Sequence, residues 1–409
     1  MSVYEINQAR LFKTLEELAQ VGRTRDGSSC RLAFTESDFQ GRALVTDWME
    51  QAKLTVRRDP LGNTVATRAG REPDLPAVMT GSHIDTVRTG GPLDGSLGVL
   101  AGLEIIRTLN EQGVETRRSI EVGFFSNEEG SRFAPDMMGS LVYVGDFDLQ
   151  TARTMTDADG TCVGDAIDAL GFAGSAPLPG PVPHAFLELH IEQGPVLDNE
   201  KMEIGVVTSV QGIRWQKLLL SGVSNHAGTT PMSQRHDAGY AAARIATLVR
   251  DLTLEIGPPM VGTVGHMRLG PSLVNVVPNH VEMTVDLRHV EDDLLTQVEE
   301  HFNHEAAAIC NREGVALEIQ RMATFAPFHF ESDLVECVRA AATARGLRHM
   351  DLVSGAGHDA QIHGRRAPAA MIFVPSVDGI SHNPAEHTEP SHIAAGANLL
   401  LDVMLDLAE

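Results

Sequence analysis

Four short apolar runs are each followed by side chains able to hold a metal, and this coupling constrains the chain more than any other feature. "PAVMTG" (76–81), "SIEVGFFS" (119–126), "AFLELHI" (185–191) and "APAAMIFVP" (367–375) read as buried strands. Between the first two, apolar residues at 97, 100, 103, 106 and 109 mark one face of a helix. Buried strands alternating with helical patterns call for an α/β fold on a parallel or mixed sheet. In such sheets ligands bind beyond the carboxyl ends of the strands. There the chain places His83, Asp85 and Asp94 after the first run, and Glu128 and Glu129 after the second. His190 stands near the end of the third, and His382 follows the fourth.

Taken singly these residues carry little weight. A histidine at a strand end is usually a satisfied polar residue, a Glu-Glu pair before glycine a solvated turn, and Asp94-Gly95 a turn or helix cap. Their coincidence on one predicted rim is the signal. Imidazole and carboxylate ligands favour zinc, manganese or cobalt. Two such ions about 3.5–4 Å apart share a water and acidify it. One carboxylate of the Glu128-Glu129 pair is then free to take the water's proton while the other binds metal. Asp85 is placed to hold the second nitrogen of His83. The glycine-rich stretch 81–100 also suggests a phosphate loop, but no G-K-[ST] follows it. Gly90-Gly91-Pro92 is expected instead to turn the backbone so that Asp94 faces His83, and Ser96 to begin a helix.

Residues 211–325 have a different rhythm. "IRWQKLLLSGV", "MVGTVGHMRLG", "NHVEMTVDLRHV" and "VALEIQRMATF" read as strands. "RHDAGYAAARIATLVRDL" and "DDLLTQVEEHFNHEAAAICNREG" read as helices. The order β-α-β-β-α-β is ferredoxin-like. The expected organisation is therefore a catalytic domain from 1–210 and 326–409, interrupted by an α+β domain at 211–325. Residues 173–184 hold four prolines and read as an irregular loop.

At 409 residues the chain is long enough for two domains with separate cores. A net charge of −23 argues against nucleic acid as partner. No run approaches the ~20 uninterrupted apolar residues of a membrane span. The start, "MSVYEINQARLFKTLEEL", reads as an amphipathic helix and lacks the pattern of a signal peptide. Four scattered cysteines with no C-x-x-C suggest reduced thiols, so the expected compartment is the cytoplasm. "SGAGHDA" (354–360) fits G-x-G-x-x-A, with Asp378 about 20 residues on, as in a dinucleotide fold. Too little chain follows for a doubly wound domain, and Gly364 and Pro368 interrupt its crossover helix. No G-x-S-x-G elbow of a serine hydrolase is present.

"GSHIDTV...GGPLDGSLGVL", "NEEGSRF", "ELHIEQGPVLD", "NHAGTTPM", "LVNVVP", "DLRH", "SGAGHDAQ" and "SHNPAEHT" occur in this order. As a set they resemble the M20-type metal-dependent amidohydrolases, in their hydantoinase/carbamoylase branch. That branch contains N-carbamoyl-L-amino-acid hydrolases, allantoate amidohydrolases and some β-ureidopropionases. The resemblance implies a mixed-sheet, metallo-aminopeptidase-like catalytic domain with two divalent ions (Zn, Mn or Co) per chain. It also implies an inserted dimerisation or lid domain, a homodimer, and a small ureido-acid substrate. His83, Asp94 and His190 would hold one ion, and Asp94, Glu129 and His382 the other, with Asp94 bridging. Glu128 would be the general base, and His226, from its own or the neighbouring subunit, would polarise the scissile carbonyl. Asn275 and Arg288 would grip a substrate carboxylate, and Gln193, Gly357 and His358 would line the cleft.

Overall fold

The runs that read as buried strands are Val78–His83, Ile120–Phe125, Ala185–Ile191 and Ala369–Val374, and every residue in them is buried. Burial on both faces explains why they are continuously apolar rather than alternating. In the computed structural model, which describes residues 4–409, these strands lie side by side and parallel. Thr64–Arg68 joins the Ile120–Phe125 edge antiparallel, and Thr55–Arg58 pairs antiparallel with it in turn. At the other side Gly205–Val207 pairs antiparallel with Met371–Phe373. The fold is a mixed-sheet α/β structure, as the sequence pattern requires.

Helix Ser96–Glu111 packs on the central strands and starts immediately after Asp94-Gly95, so its amino end faces the rim where those strands finish. Pro390–Ala408 is a helix long and apolar enough to cross a membrane. Its Leu399, Leu400 and Leu401 are buried instead, and the helix packs on Ala185–Ile191 and Ala369–Val374, as a core helix does. The first described helix, Gln8–Gln20, is capped by the side chain of Asn7. Residues 1–3 of the expected amino-terminal helix lie outside the described residues. Residues 173–184 form neither helix nor strand.

The chain divides into two compact units. One comprises the residues up to Thr208, with Phe330–Leu352 and Gly357–Glu409. The other comprises Ser209–His329 with Val353–Ala356. In the second unit an antiparallel sheet runs in the order Ala316–Phe325, Gly212–Ser221, His280–His289, Val261–Gly270. Helices Ala238–Ile256 and Asp292–Glu313 complete a ferredoxin-like βαββαβ order. Along His280–His289 buried Val281, Met283, Val285 and Leu287 alternate with half-buried residues. One face of this sheet therefore supplies the unit's core, with Phe302 and Ile245 from the helices.

Candidate metal centre

His83 is the last residue of its strand, and its ring is almost fully buried. Nδ1 donates to the backbone oxygen of Asp85 at 2.9 Å, which turns Nε2 toward Asp94 Oδ1 (3.5 Å) and Glu128 Oε2 (3.4 Å). His190 is oriented the same way: Nδ1 donates to Ile191 O at 2.9 Å and Nε2 lies 3.2 Å from Asp94 Oδ1. A carbonyl that accepts from one imidazole nitrogen makes the other the acceptor and the ligand atom; in His190 that nitrogen also takes the Gly95 N–H at 3.2 Å. The second oxygen of Asp94 faces elsewhere. Oδ2 lies 3.2 Å from His382 Nε2, and His382 Nε2 in turn lies 3.4 Å from Glu129 Oε2. Asp94 thus shares itself between two groups, His83–Asp94–His190 and Asp94–Glu129–His382, each with donor atoms within 4.8 Å of one another.

The electrostatics of this cluster call for cations. Burial opposes ionisation of Asp94, yet hydrogen bonds from His190, His382 and His83 hold its carboxyl well below the ordinary range. Burial, and then the Asp94 charge, push Glu129 up to about 8. Burial also raises Glu128 well above the usual carboxylate range; His83 opposes this, while Asp359, Glu129 and Asp94 reinforce it. Burial works against a charged His83, but Glu128, Asp94 and Asp85 outweigh it and raise the imidazole well above its ordinary value. His382 rises to about 9, chiefly through its hydrogen bond to Asp94. Buried carboxylates that repel one another are stabilised by an opposite charge among them. Imidazole and carboxylate donors, with the rings already oriented, fit zinc, manganese or cobalt.

One expectation is corrected. Asp85 holds the His83 ring through its backbone carbonyl and not through its side chain. The carboxylate instead accepts the backbone N–H groups of Glu128 (3.3 Å) and Glu129 (3.4 Å), tying the two loops together. Asp94 does face His83 across the turn at Gly90-Gly91-Pro92, with Oδ1 3.5 Å from Nε2, and in this stretch only Gly95 takes positive φ, at +61°. Space is the reason for Gly91, where a Cβ would stand 2.3 Å from Glu386.

The structure brings together further groups that sequence reasoning missed. Glu386, buried, accepts the backbone N–H groups of Leu93 (2.9 Å) and Asp94 (3.1 Å). Glu188, fully buried, accepts from Ser82 Oγ (2.6 Å) and Ala360 N (2.8 Å). The signal for Glu188 was available, since it shares a strand face with His190 inside an otherwise apolar run. For Glu386 no local pattern exists.

Gln193 Nε2 donates to Asp94 Oδ2 at 2.9 Å. The His358 ring stands edge-on to His190, with centroids 4.7 Å apart, and Gly357 precedes it. "SGAGHDA" leads into a helix of only five residues, Asp359–His363, unlike a dinucleotide crossover. In the second unit His226 is exposed in a loop, its Nδ1 accepting from Gly228 N at 3.0 Å. Asn275 lies beside it, joined through Ala227 N to Asn275 O at 2.9 Å. Arg288 is neither free nor unpaired: Nε bonds both Asp286 oxygens at 3.1 Å and Nη1 donates to Gly355 O at 2.6 Å. The i, i+2 spacing puts Asp286 on the same strand face.

The sequence profile of peptidase family M20/M25/M40 matches residues 79–406. An N-carbamoyl-L-amino-acid amidohydrolase of Rhizobium meliloti is 42% identical over 404 residues, covering 99% of this chain and 97% of the relative. An allantoate amidohydrolase of Escherichia coli is 37% identical over 398 residues, covering 97% of each. A crystal structure of a hydantoinase/carbamoylase-family amidase from Burkholderia multivorans superposes with a TM-score of 0.96 at 44% identity, covering 100% of this chain and 99% of the other.

Proposed function

This chain belongs to the M20/M25/M40 peptidase family, as a metal-dependent amidohydrolase of the hydantoinase/carbamoylase branch, and on that premise we propose that it hydrolyses the ureido C–N bond of N-carbamoyl-L-amino acids. The products are the L-amino acid, carbon dioxide and ammonia. The observation that carries the reading is the division of the Asp94 carboxylate between two ligand groups, with Glu128 buried beside His83.

His83, Asp94 and His190 would hold one divalent ion, and Asp94, Glu129 and His382 the other, drawn from zinc, manganese or cobalt. When bound, such a pair supplies Lewis acidity and an acidified water. Glu128 takes the water's proton and returns it to the departing amine nitrogen. Its burial raises its proton affinity above that of an ordinary carboxylate, which strengthens it as a proton acceptor. His226 polarises the scissile carbonyl, and hydrogen bonding there stabilises the developing oxyanion. Asn275 and Arg288 grip the substrate carboxylate; for Arg288 this requires exchanging Asp286 for the substrate. Gln193, Gly357 and His358 line the cleft.

Residues 1–210 and 326–409 carry catalysis in this reading, and 211–325 form a dimerisation or lid domain of a homodimer. Exposed Val261, Met267 and Leu269 on an outer strand support that pairing. Free cysteines support a reducing, cytoplasmic compartment.

Likeness to the E. coli enzyme favours one alternative, allantoate as substrate. Ammonia release from N-carbamoyl-L-amino acids, N-carbamoyl-β-alanine and allantoate, with added manganese or zinc, decides between them. Turnover of allantoate alone would replace the first reading by the second.

A further inference from the structure

Like Gln193, Gln361 leaves a buried side-chain oxygen unpaired. It lies on the short helix Asp359–His363 and is only 8% exposed. Its Oε1 is buried and has no hydrogen-bond partner among the described residues. Buried acceptors are nearly always paired, so an orphan beside a ligand site points to a missing donor.

Packing around Gly357 and two hydrogen bonds link Gln361 to the elements that carry the centre. A Cβ built on Gly357 would lie 3.7 Å from Gln361 Oε1 and 2.9 Å from Met137 Cε, so both side chains close on the Gly357 backbone. The Met137 N–H donates to the backbone oxygen of Glu128 at 2.7 Å. Met137 is itself held in the left-handed region, at φ 52°, a conformation that an unbranched apolar residue adopts only under constraint. The helix carrying Gln361 is anchored at its start, where Ala360 N donates to Glu188 Oε2 at 2.8 Å.

We propose that Gln361 is a specificity-determining residue whose Oε1 accepts an N–H of the substrate's ureido head. The inference rests on the ureido reading above. A ureido group carries a terminal NH2 where an N-acyl amino acid carries a carbon. An acceptor with no protein partner rewards the first and stays orphaned with the second. A site built around one hydrogen bond rejects an analogue lacking the donor, because the buried partner is then unpaired.

The test compares kcat/KM for an N-carbamoyl-L-amino acid and its N-acetyl counterpart in wild type, Gln361→Leu and Gln361→Glu. Metal content and melting temperature are measured in parallel. In Gln361→Leu the carbamoyl-over-acetyl ratio is expected to fall roughly ten- to hundredfold, mainly through the carbamoyl substrate, with metal content unchanged. Gln361→Glu, which keeps an acceptor, is expected to retain more of the preference. Should the leucine variant not fold, Gln361→Met takes its place. An unchanged ratio in a folded, metal-replete variant overturns the proposal. Failure of the wild type to release ammonia from any carbamoyl substrate is a different result, and overturns the ureido reading together with this inference.

Discussion

Glu386 accepts the backbone N–H of Asp94 at 3.1 Å from a position 292 residues further along the chain. The same oxygen takes the N–H of Leu93 at 2.9 Å, and Ser381 Oγ donates to the other at 3.0 Å. Asp94 is therefore aimed by a carboxylate that touches its main chain rather than its side chain. Removing that anchor in Glu386→Ala is expected to weaken metal affinity about 10- to 100-fold, as loss of outer ligand supports generally does. Metal content after dialysis against graded chelator measures it. Wild-type retention would show that Asp94 holds its position unaided.

Glu128→Gln keeps size and burial but removes the proton acceptor. The variant is expected to fold, to bind metal and to lose nearly all turnover. Steady-state kinetics on the metal-replete protein provide the check; a tenth of the wild-type rate is enough to dismiss Glu128 as the base.

Gly95 combines φ +61° with a Cβ position 2.4 Å from the His83 ring. Gly95→Ala is therefore expected to cost about 1–3 kcal/mol of backbone strain. It should also displace the His83 ring, so that metal is lost together with stability. Urea denaturation and metal analysis on one preparation test both effects, and a variant with full metal content would contradict the crowding argument.

His363 is buried, stacked on Phe186 at 4.1 Å and 3°, and burial lowers its imidazole to about 3. The folded protein keeps it neutral, whereas the unfolded chain protonates it below about 6.5. Its contribution to stability is thus complete above 6.5 and is lost progressively as the pH falls from 6.5 toward 3. At the acid end the loss is at most roughly 4–5 kcal/mol. His363→Leu is expected to flatten the fall in melting temperature between pH 6.5 and 4. An identical acid slope in both proteins would place the titration elsewhere.

Much of the architecture was legible before any coordinates. "AFLELHI" is the strand Ala185–Ile191, and the spacing at 97–109 is the helix Ser96–Glu111. In the second unit each strand and helix of the βαββαβ pattern falls where its periodicity lies. Such features are local: a period of two or 3.6 is written in residues a few positions apart, and burial selects it. The polar residues that follow the central strands were legible for the same reason, because the topology of a parallel sheet sends successive strand ends to one rim.

The sequence by itself determined which residue types reach that rim, and only the tertiary structure decided what each atom faces. Asp85 turns its carbonyl, not its carboxylate, to His83. Asp94 offers Oδ1 to His83 and His190 but Oδ2 to His382. Glu386 reaches Asp94 from the far end of the chain. None of these has a period. Each is a choice among rotamers and loop paths separated by the energy of one or two hydrogen bonds, and close packing around the site makes that choice.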